Sequence, residues 1–259
     1  MEQSSLRRAA TALDRNAIDE FECIFEGILL EPESSSYRAR YATRYIDAAP
    51  TPGLAALCFT IHDVVQCIWF ARAYRLPIIV KRQDTIIAGQ AADGGLLVDL
   101  SVMRTVTVDR VRGIVDVQAG ATVADLDLAT GACGLVVPAA TRWPRDAIAG
   151  LVLASGVGWL GRGLSPHADV LLGITVVTMD GVTRNINPAR DPQLVMALFT
   201  AEGDTGIVIS IRLKAEPMGM IVMPKAHLKY VDPEKLLKLY RVAMGTPCDA
   251  AIADLFLEQ

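Results

Sequence analysis

Charge of one sign, paired cysteines, clustered histidines and long apolar runs are all scarce in this 259-residue chain. Each scarcity removes a class of function. Lys and Arg number 25 against 29 Asp and Glu, a net charge of −4, so no general attraction to nucleic acid or anionic lipid is expected. Cys23, Cys58, Cys67, Cys133 and Cys248 are odd in number, widely spaced and form no C-x-x-C pair. Reduced thiols in a cytoplasmic protein are the expectation. His62, His167 and His227 are scattered, which gives a zinc site no support. No apolar run approaches the ~18 residues of a membrane span, since Leu151–Leu160 is short and rich in Gly and Ala. Residues 1–16 have no apolar signal core after their basic residues, which argues against export. Apolar residues are plentiful: 52% hydrophobic against 21% charged is enough for a real core.

The apolar spacing predicts alternating helices and strands. Ala10, Leu13, Ile18, Phe21, Ile24, Phe25 and Ile28 fall on one face of a helix over residues 5–31, closed by Pro32 and the Ser34-Ser35-Ser36 run. A strand at Ala55–Thr60 leads to a helix from His62 to Tyr74, with Val64, Val65, Ile68, Trp69 and Ala71 inward. Strands follow at Pro77–Val80, Leu96–Leu100, Val106–Val108 and Ile114–Gln118. Thr122 with Asp125 three residues on reads as the cap of a helix to Thr130. Leu172–Met179 turns at Asp180-Gly181 into Thr183–Ile186, a hairpin signal. A short helix begins at Asp191-Pro192, and a strand runs from Ile207 to Lys214. Pro217 marks a boundary, and residues 221–257 read strand, helix, strand. Such alternation is the mark of mixed α and β folds.

Val80–Gly89, reading VKRQDTIIAG, follows a strand and leads through Asp93-Gly94-Gly95 to the next one. This layout resembles the FAD-binding domain of the berberine-bridge-enzyme-like oxidases, in the vanillyl-alcohol-oxidase/p-cresol-methylhydroxylase (PCMH) superfamily. Other stretches agree in order. Glu31-Pro32 with Tyr37–Arg40 resembles the family's N-terminal approach, and Gln118–Thr122 its V-G-A-G-A-T turn. Gly150-Leu151 through Gly156–Leu160 resembles its G-L-x-L-G-G-G-x-G-W-L segment. Asp169 through Gly181 and Gly206-Ile207-Val208 follow in place. The resemblance spans about residues 25–216. It implies an α+β, PCMH-type FAD-binding fold of two α/β subdomains, about 1–102 and 103–217. Residues 218–259 are then a truncated strand–helix–strand remnant of the substrate domain. Because one such unit cannot cover a sheet face, residues 218–259 are expected to pack differently or to pair with another chain, with a homodimer favoured over another complex.

By the same resemblance, the cofactor-binding set is Lys81, Arg82, Gln83, Asp84, Thr85, Ile86, Gly89, Thr141, Gly150, Gly156, Gly206 and Val208. The family's turn is V-R-G-G-G-H-S-x-A-G, whose glycines bring amides onto the FAD diphosphate and whose His bonds to the flavin. In this chain Arg82, Gln83 and Asp84 stand for the three glycines and Thr85 for the His. Glycine suits such loops because it leaves the backbone open to close approach. A carboxylate such as Asp84 at ~5 Å from a phosphate charge costs about 3 kcal/mol at an effective dielectric near 20, which Lys81 and Arg82 would offset by turning inward. Thr85 excludes the histidyl link. Ala139–Arg145 carries Thr141, Arg142 and Trp143 and no Cys, so any flavin is noncovalent. Glu202 and Asp204 add acids in the loop before Gly206.

Two readings of function stand open. One is an FAD-linked oxidoreductase acting on a small organic molecule, with FAD noncovalent and no metal. The other is a flavin-free descendant, using the vacated cofactor cavity as a non-redox enzyme (a cyclase or lyase) or serving as a non-catalytic partner of a full-length oxidase. His167 and Arg142 are the candidate catalytic residues: a loop imidazole that can move a proton and a guanidinium beside Trp143.

Overall fold

The computed structural model describes residues 14–41, 52–83, 94–138, 145–153, 170–200 and 205–218, with 234, 238 and 241 as isolated positions. Apart from those three positions, the expectations for residues 221–257 therefore lie outside the described residues, as do those for 84–93, 139–144 and 154–169.

Helix α1 (Arg15–Ile24) buries Ala17, Ile18 and Phe21, with Asp14 accepting from the Asn16 amide at its start. It stops seven residues before the periodicity suggested, and Ile28–Leu30 forms strand β1, antiparallel to β2 (Leu54–Leu57). Gly27 explains the change. A Cβ there would collide with the Leu57 carbonyl, and the Glu26 and Gly27 amides both donate to Asp63. The serine run begins a helix rather than closing one. Ser34 Oγ accepts from the Tyr37 amide at 3.1 Å, and α2 spans Ser35–Tyr41. Short polar side chains satisfy the orphan amides of a first turn, so the same composition serves a start as readily as a stop.

Helix α3 (Ile61–Tyr74) opens on a capping box of Thr60 and Asp63 and closes on Arg75 in the left-handed region. Strands β3 (Ile78–Lys81) and β4 (Leu96–Asp99) run parallel to β2, giving the order β1-β2-β4-β3. Both faces are covered, so every residue of β2 and β4 is buried and all but Asp99 are apolar, as parallel strands require. Leu54, Ala56, Val80, Leu96 and Val98 share the main core with Val64, Cys67, Ile68 and Ala71 of α3. On the other face Ala55, Ile79 and Leu97 meet Tyr37 of α2.

The second sheet contains β5 (Val106–Asp109), β6 (Ile114–Gln118), β8 (Leu171–Thr178), β9 (Thr183–Ile186) and β10 (Gly206–Lys214), ordered β5-β6-β10-β8-β9 and antiparallel throughout. Helix α4 (Val123–Gly131) begins at the expected Thr122–Asp125 capping box. Helix α5 (Ile148–Leu153) lies against β6 and β10, and α6 (Pro192–Thr200) precedes β10. A small pair that the sequence did not suggest, β7 (Leu135–Val136) with β11 (Glu216–Pro217), closes the described chain.

Trp69 departs from its expected inward position, with 51% of its surface exposed. Its indole lies against Gly181, whose φ of +78° makes the β8–β9 turn; a Cβ there would strike Nε1. Arg72 Nη1 donates to the Met179 carbonyl at 3.1 Å beside it. Trp69 and Arg72 thus hold α3 against the β8–β9 turn. No helix among the described residues is long and apolar enough to cross a membrane.

Candidate functional site

Open α/β sheets take ligands in the crevice outside the carboxyl ends of their parallel strands. In this chain those ends are Leu57, Lys81 and Asp99, which are in register across β2, β4 and β3. Because side chains alternate along a strand, Lys81 and Asp99 project to the face that carries Ile79 and Leu97. Helix α2 covers that face and ends in Arg40 and Tyr41.

The result is a buried polar cluster. Asp99 is fully buried and its Oδ2 accepts from Arg40 Nε at 3.1 Å and Tyr41 Oη at 3.0 Å. Lys81 Nζ sits 3.6 Å from the same oxygen and 5.8 Å from the centre of the Tyr41 ring. Asp99 Oδ1 accepts from the Ser101 amide at 2.8 Å, and Ser101 Oγ accepts from Arg40 Nη2 at 2.7 Å. Burial alone would raise the Asp99 carboxyl, yet Lys81, the Ser101 hydrogen bonds and Arg40 hold it below its ordinary value. Burial, followed by the Asp99 charge, pushes the Tyr41 hydroxyl far up, so it remains a donor. Arg40 and Tyr41 lie 59 and 58 residues from Asp99 in sequence, so no local pattern links them. The available signal was that the apolar runs of β3 and β4 both end on a charge, of opposite sign.

Of the expected cofactor set, the structure gathers Lys81, Arg82 and Gln83 at this end. Arg82 is buried, and burial pushes its guanidinium down to about 10. Gln83 Nε2 donates to the Ser101 carbonyl at 3.3 Å and also to the Gly120 carbonyl. Gly120 is in the β6–α4 turn, where a Cβ would collide with the Leu100 carbonyl. Gly150 lies in α5 with nothing within 4 Å of the place its Cβ would occupy. Gly206 begins β10, and its missing Cβ leaves room for the Val177 carbonyl, which it would meet at 2.7 Å. Val208 is fully buried in the main core. Asp84, Thr85, Ile86, Gly89, Thr141 and Gly156 lie outside the described residues, as do the candidates His167 and Arg142.

A dinucleotide diphosphate needs inward amides with nothing in front of them. The turn at residues 119–123 does not offer such a row. The amides of residues 119–123 are already used: Ala119 donates to Ile209, Gly120 to Met103, Ala121 to Gln118 and Val123 to Asp146 carbonyls. Thr122 donates to Asp125 Oδ2 at 2.8 Å. Gln83 spans the gap between the β4–β5 connection and the β6–α4 turn. Lys81 is committed to Asp99. These residues by themselves therefore define no flavin chemistry. Among the described residues no group of three or more His, Cys, Asp or Glu is placed to hold a metal ion.

The frame around this altered turn is nonetheless a familiar one. The FAD binding domain family matches residues 52–187, so the chain belongs to that family. An FAD-linked oxidoreductase of Dictyostelium discoideum is 30% identical over 247 residues, covering 91% of this chain and 53% of that protein. The crystal structure of 6-hydroxy-D-nicotine oxidase from Arthrobacter nicotinovorans superposes with a TM-score of 0.67 at 25% identity, covering 74% of this chain and 43% of the other. The berberine-bridge-enzyme-like protein 1 of Physcomitrella patens gives 0.66 at 22% identity over 77% of this chain and 44% of its own. The fold is thus the PCMH-type FAD-binding fold. The chain spans about half the length of the Dictyostelium protein and less than half of each solved structure.

Proposed function

We propose that the chain works as an FAD-linked oxidoreductase-family protein on a small organic molecule, holding its flavin without a covalent bond. The observation that carries this reading is the family match over residues 52–187, laid on a parallel sheet whose carboxyl ends gather Arg40, Lys81 and Ser101. Bound FAD would supply the redox centre, and the protein would supply position and electrostatics. Thr85 and the cysteine-free stretch 139–145 support noncovalent attachment. A titration of the purified protein with FAD by calorimetry tests the reading. Micromolar binding, with all yellow colour left in the supernatant after acid precipitation, is expected. No heat of binding refutes it.

A second reading, a flavin-free protein using the same crevice for non-redox chemistry or as a partner of a longer oxidase, is favoured by one specific observation. Gln83, at a position where the family's turn has glycine, ties the Ser101 and Gly120 carbonyls together at the carboxyl end of the parallel sheet. The same titration separates the two. We further propose that two copies associate through residues 218–259. Light scattering on the whole chain and on a chain ending at 217 should give dimer and monomer masses; a monomer in both refutes it.

A further inference from the structure

We propose that Gln83 is a latch: its side-chain amide takes the place of a dinucleotide diphosphate and limits the affinity of this chain for FAD. The inference rests on the flavin reading only in its choice of ligand.

Gln83 directly follows β3 and Arg82, at the carboxyl end of the parallel sheet. A glutamine amide carries two N–H donors, and this one serves two carbonyls. Ser101 belongs to the β4–β5 connection and Gly120 to the β6–α4 turn. One side chain thereby ties three segments that are 18 and 37 residues apart in sequence. The turn it reaches is itself fixed to α5, since Val123 donates to the Asp146 carbonyl and Ile148 to that of Ala121. The gap is therefore bridged from within. Carbonyl oxygens repel phosphate oxygens, so the two acceptors that hold Gln83 cannot themselves receive a diphosphate. The donor that faces them is spent on them.

An incoming diphosphate must first displace the latch and leave the Ser101 and Gly120 carbonyls to water. Giving up two neutral hydrogen bonds corresponds to an affinity loss on the order of tenfold or more. Gln83 does not have a positive φ, so its side chain can be shortened without a change of backbone conformation.

The test compares FAD affinity by calorimetry with thermal stability for the wild type, Gln83→Ala and Gln83→Glu. Gln83→Ala should melt a few degrees lower and bind FAD about tenfold more tightly, the reverse of what a merely structural residue gives. Gln83→Glu cannot donate to the two carbonyls and meets the phosphates with like charge, so it should lose stability without gaining affinity. Gln83→Ser gives the same reading as alanine should the alanine variant not fold. Equal or weaker binding by Gln83→Ala, or no binding by it, overturns the latch. The wild-type titration judges the flavin reading separately. A wild type that gives no heat beside an alanine variant that binds refutes that reading for the natural chain while the latch stands.

Discussion

Replacing Asp63 by asparagine should destabilise the protein more than any change at an exposed carboxylate. Asp63 is fully buried. Its Oδ1 accepts from the Glu26 and Gly27 amides at 2.9 and 3.2 Å, and its Oδ2 from the Phe59 and Thr60 amides at 2.8 and 2.9 Å. One carboxylate thus joins the end of α1, the start of β1 and the first turn of α3. Asparagine keeps the size but turns one acceptor into a donor. Whichever way it is oriented, a pair of backbone amides faces an NH2 group, and the other pair loses its charge assistance. Hydrogen bonds to a charged group contribute about 1.5–3 kcal/mol each, so losing two costs roughly 3–6 kcal/mol. In a chain of this size that is a fall in Tm of about 6–24 °C. The control is Asp109→Asn, where a 42%-exposed side chain accepts from the Val111 and Arg112 amides; a change within about 0.5 kcal/mol is expected there. Chemical denaturation of both variants measures the difference. Equal stabilities would refute the account of Asp63 as a junction.

Acid should weaken the protein through Asp99. Because its folded value is depressed, its contribution is present above the unfolded carboxylate value near ~4 and is lost as pH falls through the lower folded value. Asp99→Asn should flatten that part of the stability profile below about pH 4, and an unchanged slope would count against the cluster. Gly181→Ala forces a Cβ into φ +78° and onto the Trp69 indole, so it should cost about 1–3 kcal/mol and shift Trp fluorescence; an unmoved melting curve would deny the Trp69 contact. Among the described thiols, Cys23 is exposed whereas Cys58 and Cys67 are fully buried with sulfurs 3.8 Å apart. Burial, then Cys67, pushes the Cys58 thiol up. Iodoacetamide on the native protein should therefore label Cys23 before Cys58 and Cys67, as mass spectrometry can report, and rapid labelling of Cys58 would contradict its packing.

Local chemistry was legible in the sequence wherever it is settled within a few residues. Thr122 and Asp125 cap α4 because the partners lie three apart, and Asp180-Gly181 turns a hairpin because one position needs φ > 0. The apolar runs of β2 and β4 announced strands. The order of motifs around them announced the FAD-binding frame. Contacts between distant segments were not legible, because periodicity carries no information about which element will lie beside which. Ile28–Leu30 fits a helical stripe as well as a strand, and only β2 and Gly27 decide between them. Lys81 meets Asp99 because β3 and β4 are parallel and in register, a relation that neither segment contains alone. Gln83 could be recognised in the sequence as a bulky residue in a glycine's place. That its amide reaches the carbonyls of Ser101 and Gly120 was decided by the tertiary structure, since only folding brings those distant acceptors within one side chain's length.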